Sequence, residues 1–135
     1  MKIKTDLLVA GGGISGMCAA VAAARLGLSV VLVNDRSVLG GNASSEIAVE
    51  ISGASHGGMN ASVYAKETGI VEEIRLRLNY YKQFEGYGKY SLLDAVFFDM
   101  VYNEKNITLI LNTVIDGCKT EKGKITKVYA KHSVS

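Results

Sequence analysis

The chain has 135 residues, a formal net charge of +2, two cysteines and no proline. This length suits one domain with a core of its own and is short for two. The near-neutral charge, without a basic face interleaved with aromatic residues, argues against a nucleic-acid partner. The apolar runs are far shorter than a bilayer span and the N-terminus has no signal-peptide pattern, so we expect no membrane segment and a cytoplasmic protein. Cys18 and Cys118 form no zinc or dithiol motif, and no metal site is predicted.

The N-terminal segment predicts a strand, a tight turn, a helix and a second strand. Residues 7–10, LLVA, form a continuous apolar run that is typical of a strand buried on both faces of a parallel sheet. The alanine-rich segment 14–26 predicts a helix packed closely on that sheet, and Gly27 ends it. Residues 29–33 form a second apolar run. The pattern is that of a βαβ unit of about 30 residues.

The turn between the first strand and the helix has the sequence GGGISG, which contains the spacing GxGxxG at Gly11, Gly13 and Gly16. In a dinucleotide-binding unit the first glycine permits the sharp turn and the second lets the backbone approach a pyrophosphate. The third lets the helix lie tight against the strands. The helix N-terminus then offers free N–H groups and a partial positive charge to the phosphates. The pattern predicts a dinucleotide site, against the alternative of a glycine turn that binds nothing.

Such a site also uses an acid at the end of the second strand to bind the ribose hydroxyls. Asn34 stands at the position where Glu is expected, and Asp35 follows it. Two alternatives are open: Asn34 hydrogen-bonds the ribose without the help of a charge, or Asp35 turns inward and does so. Arg36 either contacts the adenine side of the ligand or is solvated.

Residues 39–62 form a long segment rich in glycine and hydroxyl side chains, which is predicted to be a functional loop with a short strand at 46–51. Its titratable residues His56 and Glu46 are the candidates for a catalytic role, because a histidine near a reacting group can shuttle a proton. Each has a structural alternative. The histidine is then structural or solvated, and the glutamate lies on a strand edge or pairs with an arginine.

The second half of the chain predicts two helices, a strand and a hairpin. An amphipathic helix begins near Thr68, and a second helix begins with a capping box at Ser91 and Asp94 and runs to about Asn103. A third buried strand at 107–111 is followed by a hairpin of residues 114–118 and 125–130. The predicted fold class is therefore α/β, a Rossmann-like parallel sheet with a βαβ unit and a C-terminal β-hairpin.

Residues 5–46, with GGGISG and the later segment LGGN, resemble the N-terminus of FAD-dependent oxidoreductases. Within these, the chain is most similar to the glutathione-reductase-like class with two dinucleotide folds, in members with an LGGN segment after the second strand. The resemblance implies FAD as the cofactor and flavin-mediated hydride or electron transfer on an unknown small-molecule substrate. It implies cofactor contacts by residues in four segments: Gly11, Gly12, Gly13, Ile14, Ser15 and Gly16; Asn34, Asp35 and Arg36; Gly40, Gly41, Asn42 and Ser44; and Val114.

Besides Asn34 at the position where Glu is expected, the chain departs from that family in two respects. It has no cysteine pair after the LGG segment, so disulfide reductase chemistry is not expected. Complete members continue into another strand and a substrate domain, so residues 1–135 are expected to be a truncated N-terminal FAD-binding domain, inactive by itself. The strand that would follow pairs beside the first one, so residues 5–10 are expected to form an exposed edge open to homo-oligomers. The alternatives are a non-catalytic nucleotide-binding or assembly module, and part of an NAD-dependent enzyme.

Overall fold

The computed structural model describes residues 2–52, 65, 67–81 and 88–133. The elements in chain order are β1 (Leu7–Ala10), α1 (Ile14–Arg25), β2 (Val30–Val33), a 3₁₀ turn (Gly41–Ala43), α2 (Gly69–Tyr81), α3 (Lys89–Tyr102), β3 (Ile107–Ile110), β4 (Thr113–Glu121) and β5 (Lys124–His132). Among these helices, none combines the length and the apolar character that crossing a membrane requires.

A parallel sheet with the strand order β1-β2-β3 forms the centre of the described fold. Leu7 pairs with Val30, and Val30 pairs with Ile107 on its other side. All four residues of β2 are buried, as expected of a strand covered on both faces. Strands β4 and β5 form a separate antiparallel hairpin. The predicted α/β fold, with its Rossmann-like sheet and C-terminal hairpin, is confirmed, and β1 lies at an edge of the described sheet.

Helices α1 and α3 supply most of the core that covers the sheet. In α1 the buried residues are mostly small, Ala20, Ala23 and Ala24 among them, and this allows the close approach predicted for this helix. In α3 the larger Phe97 and Met100 are almost completely buried. A small-residue helix and a large-residue helix thus fill the space beside the same sheet.

The predicted strand at 46–51 is wrong. Residues 45–47 form a turn, and the backbone N–H groups of Ala48 and Val49 donate to the carbonyls of Ser44 and Asn42, each at 2.8 Å. These local hydrogen bonds occupy the N–H groups of Ala48 and Val49, and residues 46–51 pair with no strand in the described part of the chain.

The predicted capping box at Ser91 and Asp94 is also wrong. Helix α3 begins at Lys89, with Gly88 at the N-cap position, so Ser91 already lies within the first turn. The Asp94 carboxylate instead accepts hydrogen bonds from the backbone N–H of Ser45, at 2.9 Å, and from its hydroxyl. Asp94 therefore fixes the loop after the 3₁₀ turn rather than the helix end.

An ion-pair network joins the three helices at their surface. Arg25 of α1 contacts Glu73 of α2 at 2.7 Å and Glu104, just after α3, at 2.6 Å. Arg77 contacts the same Glu73 at 2.9 Å and Asp99 of α3 at 2.5 Å. The hydrogen bond from Arg25 keeps the pKa of Glu73 below its ordinary value, although partial burial acts in the opposite direction.

Glu73→Gln is expected to lower the free energy of unfolding at pH 7 by about 1 kcal/mol, because both pairs are partly solvent-exposed. A carboxylate with a depressed folded-state pKa stabilises the fold above its unfolded pKa of about 4.3 and loses this effect as the pH falls through the folded-state pKa. Urea unfolding at pH 7 and pH 3 is expected to show a difference between variant and wild type that shrinks at pH 3. Glu121→Gln, in the exposed hairpin pair with Lys119, is the control with little effect. An equal loss at both pH values would contradict this account.

Candidate functional site

The turn after β1 packs its middle glycine against the end of β2. A Cβ atom added to Gly12 would lie 2.5 Å from Cδ2 of Leu39 and 2.9 Å from Cγ of Asn34. These distances are shorter than any real carbon–carbon contact, so no side chain fits at this position. The Gly12 N–H donates to Oδ1 of Asn34 at 3.0 Å. The glycine in the middle of GGG is therefore required by packing within the protein.

The two other glycines of the turn have different surroundings. A Cβ atom on Gly16 would lie 2.0 Å from the carbonyl oxygen of Gly11, so the helix can approach the turn only with glycine there. A Cβ atom on Gly13 would meet nothing within 4 Å. Gly13 is the N-cap of α1. Because glycine has no side chain, it cannot cap the helix, and the first turn of α1 contains no acidic residue. The N-terminus of α1 therefore opens onto free space beside Gly13.

The second glycine pair, Gly40 and Gly41, lies directly against this turn. The Gly40 N–H donates to the carbonyl of Gly12 at 2.8 Å, and a Cβ atom on Gly41 would lie 3.1 Å from Cα of Gly13. On the other side, a Cβ atom on Gly40 would lie 2.4 Å from the ring of Phe97 in α3. The LGGN segment therefore fits between the glycine turn and α3 only because it has no side chains at these two positions.

The side chain of Asn34 connects the glycine turn to the segment after β2. Its Oδ1 accepts from Gly12, and its Nδ2 donates to the carbonyls of Val38 at 2.8 Å and Arg36 at 3.3 Å. An N–H partner on one side and carbonyl partners on the other fix the orientation of the amide. Only 5% of Asn34 is exposed. A carboxylate could accept from Gly12 but could not donate to the two carbonyls, which explains why an amide suits this position.

A cavity of about 270 Å³ opens where these segments meet. It is lined by residues of the glycine turn, the end of β2 and the loop of the second glycine pair: Gly11, Gly12, Gly13, Asn34, Asp35, Arg36, Val38, Gly41, Asn42, Glu46 and Ile47. Nine of these are positions singled out from the sequence; Val38 and Ile47 were missed. They carry no motif, and the position of Val38 depends on its carbonyl accepting from Asn34.

Other residues singled out from the sequence lie beside the cavity rather than in its lining. Ile14, Ser15, Gly16 and Gly40 flank it in the chain, and Ser44 is buried with its hydroxyl donating to the carbonyl of Gly41 at 2.7 Å. Val114 is half-exposed on β4, next to Thr113, whose N–H donates to the carbonyl of Asn34 at 2.9 Å. His56, the first catalytic candidate, lies outside the described residues.

Glu46, the second catalytic candidate, forms an ion pair with Arg36. Nη1 of Arg36 lies 3.4 Å from Oε2 of Glu46, and both residues line the cavity. The structural alternative for this glutamate, pairing with an arginine, is therefore confirmed. The pair joins the segment after β2 to the loop after the 3₁₀ turn.

Asn34→Asp is expected to destabilise the fold by about 2 kcal/mol at pH 7, because two donors are lost and a carboxylate oxygen faces two carbonyls. The new carboxyl group is buried, so its folded-state pKa lies above its unfolded value of about 3.9. The stability of the variant is therefore greatest below that pH and falls as the pH rises through the folded-state pKa.

Thermal or urea unfolding of the Asn34→Asp variant between pH 3.5 and pH 7 measures this trend. Asn42→Asp, at an exposed position on the same cavity, is the matched control with a small and nearly pH-independent change. A variant at Asn34 that is as stable as the wild type at pH 7 would show that the amide donors contribute nothing.

Solved structures with the same fold include a flavin-dependent monooxygenase and proteins of other descriptions. A geranylgeranyl bacteriochlorophyll reductase-like protein from Thermoplasma acidophilum matches with a TM-score of 0.56 and 16% identity, over 97% of this chain and 36% of that protein. THI4 from Thermovibrio ammonificans matches with a TM-score of 0.56 and 15% identity, over 96% of this chain and 48% of that one. The flavin-dependent monooxygenase PieE, solved with FAD and substrate, has a TM-score of 0.56 and 16% identity, over 98% of this chain and 28% of PieE.

The chain thus spans less than half the length of each of these three proteins. At 15–16% sequence identity, the likeness shows that the fold is shared and no more. No curated protein matches the chain. The model that describes FAD-dependent oxidoreductases matches residues 6–134, which is almost the whole chain. With its glycine turn, its LGGN loop and its cavity between them, the chain belongs to the FAD-dependent oxidoreductase family.

Proposed function

We propose that the cavity beside Gly13 binds the diphosphate and adenosine ribose of FAD, and that the chain is the FAD-binding portion of an oxidoreductase. The observation that carries this proposal is the free space at Gly13, the N-cap of α1. Gly13 has no side chain to cap the helix, and the first turn of α1 contains no acidic residue. Backbone N–H groups and the partial positive charge at such a terminus attract a diphosphate. The family match supports FAD as the ligand over NAD.

The surrounding residues fit a dinucleotide in shape and in polarity. Gly13 and Gly41 have no side chains, so the backbone on both sides can approach the phosphates closely. Asn42 and Arg36 add polar groups to the lining. The buried Ser44 and the partly exposed Asp94 hold the loop that carries Gly41 and Ser45. These residues bind and orient the ligand.

FAD supplies hydride or electron transfer when it is bound. The substrate is proposed to be a small molecule, and the glutathione-reductase-like class with an LGGN segment is the proposed subclass. The segment LGGN at 39–42, packed against the glycine turn, supports this subclass. Because the chain aligns with one part of much longer proteins, we assign the substrate site to a larger flavoprotein of which residues 1–135 are one domain.

The outer edge of β1 is the proposed site of association. β1 has a partner on one side only in the described sheet, and Leu7, Leu8 and Val9 are only partly buried. The free N–H and C=O groups of an apolar edge strand favour pairing with another strand. That strand is proposed to come either from the rest of the same protein or from a second copy.

Gly13→Ala is expected to lower the affinity for FAD by about tenfold or more, because the methyl group enters the space that the diphosphate needs. The same change is expected to alter the free energy of unfolding by about 1 kcal/mol or less, since the backbone φ of −63° at Gly13 is open to alanine. Flavin absorbance retained after desalting, followed by titration with FAD, measures the affinity.

Gly117→Ala, in the hairpin, is the matched control, because a Cβ atom there also meets nothing within 4 Å. It is expected to bind FAD as the wild type does. A wild-type chain that takes up no FAD, or a Gly13→Ala variant with wild-type affinity, would contradict the proposed function.

A further inference from the structure

Residues 45–50, which follow the 3₁₀ turn, form an exposed strap along one side of the cavity. All six residues of the strap are exposed, so little apolar burial holds it against the rest of the chain. Two of them, Glu46 and Ile47, nevertheless line the cavity. A segment with so few buried apolar contacts opens at a lower free-energy cost than the packed core beside it.

Polar contacts attach both ends of the strap to α3. The carboxylate of Asp94 accepts from the N–H of Ser45 at 2.9 Å, and Lys89, at the start of the helix, pairs with Glu50. Between these ends, Ala48 has a backbone φ of 63°, in the left-handed region that residues with a Cβ atom rarely adopt. Such a residue keeps this strained conformation only where the contacts around it hold it. The strap is therefore fixed at its ends and strained between them.

One ion pair connects the strap to the opposite wall of the cavity. Nη1 of Arg36, in the segment after β2, lies 3.4 Å from Oε2 of Glu46, and both residues line the cavity. The two side chains are 58% and 34% exposed, so the pair lies at the rim of the cavity, in contrast to the buried Asn34. An ion pair in contact with water contributes little free energy, so it breaks and forms again readily.

We propose that the Arg36–Glu46 pair is a latch that closes the strap over the cavity, and that its opening sets the rate at which FAD enters and leaves. This inference rests on the proposed function. The contacts of Asp94 and Lys89 keep the ends of the strap attached to α3 while the latch is open. The same opening precedes both association and dissociation, so the latch changes the two rate constants together. Their ratio, and with it the Kd, depends little on the latch.

The competing explanation is that Glu46 binds the ligand directly. Loss of a ligand contact speeds dissociation and leaves association nearly unchanged, so that the affinity falls. Loss of the latch speeds association and dissociation alike. The two explanations are therefore separated by measuring both rate constants rather than the affinity alone.

Stopped-flow mixing of the full chain with FAD, followed by flavin fluorescence, gives the association rate constant, and rapid dilution of the FAD-loaded chain gives the dissociation rate constant. Glu46→Gln is expected to raise both by about threefold, as for loss of a partly exposed ion pair, and to leave the Kd within about twofold. In an Arg36→Gln background the same change is expected to alter neither rate constant, since its partner is already absent. Asp116→Asn, at an exposed carboxylate on β4 outside the cavity, is the control with wild-type rate constants.

The outcomes separate this inference from the proposed function. If the wild type binds FAD but Glu46→Gln changes neither rate constant, or raises the dissociation rate constant alone, the latch is wrong and the FAD site stands. An effect of Glu46→Gln that persists in the Arg36→Gln background also overturns the latch, because the pair is then not its cause. If the wild type takes up no FAD, the proposed function fails and the latch fails with it.

Discussion

The contact of Gly12 with Asn34 and Leu39 is the constraint on which the site depends. It brings the turn between β1 and α1 against the segment after β2, with a hydrogen bond of 3.0 Å and no space for a side chain. Because this contact is buried, the two segments meet in one arrangement. The position of Gly13, the direction of the α1 N-terminus and the cavity beside them all follow from it.

Helix α3 supports the same region from the opposite side. Phe97 fills the space beside Gly40, and Asp94 binds the backbone of Ser45, so the second glycine loop is fixed by residues about 50 positions later in the chain. The ion pairs of Arg25 and Arg77 then attach α3 to α1 and α2 at the surface. The cavity lining is therefore held by packing in the interior, while charged pairs join the helices outside it.

The sequence predicts the βαβ unit and the glycine turn because their signals are local. An apolar run, glycines at fixed spacing and an alanine-rich helix all lie within residues 7–33. The hairpin is local in the same way. The third strand and the helix before it also follow from short apolar patterns, with ends that differ from the prediction by one or two residues.

The parts that the sequence could not predict depend on contacts between distant residues. The partners of Asn34 include Gly12, which is 22 positions away, and Asp94 meets Ser45 at a separation of 49. A motif such as S-x-x-D does not reveal that its aspartate faces a loop rather than a helix end. The alternation at 46–51 suggested a strand, but a strand also needs a neighbour to pair with. Val38 and Ile47 carry no chemical signal at all.

The most direct test of the central claim is a titration of the ¹⁵N-labelled chain with FAD, followed by the chemical shifts of its backbone amides. The account predicts that the largest changes occur at Gly13, at the first turn of α1, and at Gly41 and Asn42, while the amides of the far end of the hairpin, residues 117–129, stay unchanged. Changes centred on the hairpin or on α2, with the glycine turn unaffected, would contradict the claim that the two glycine segments form the dinucleotide site.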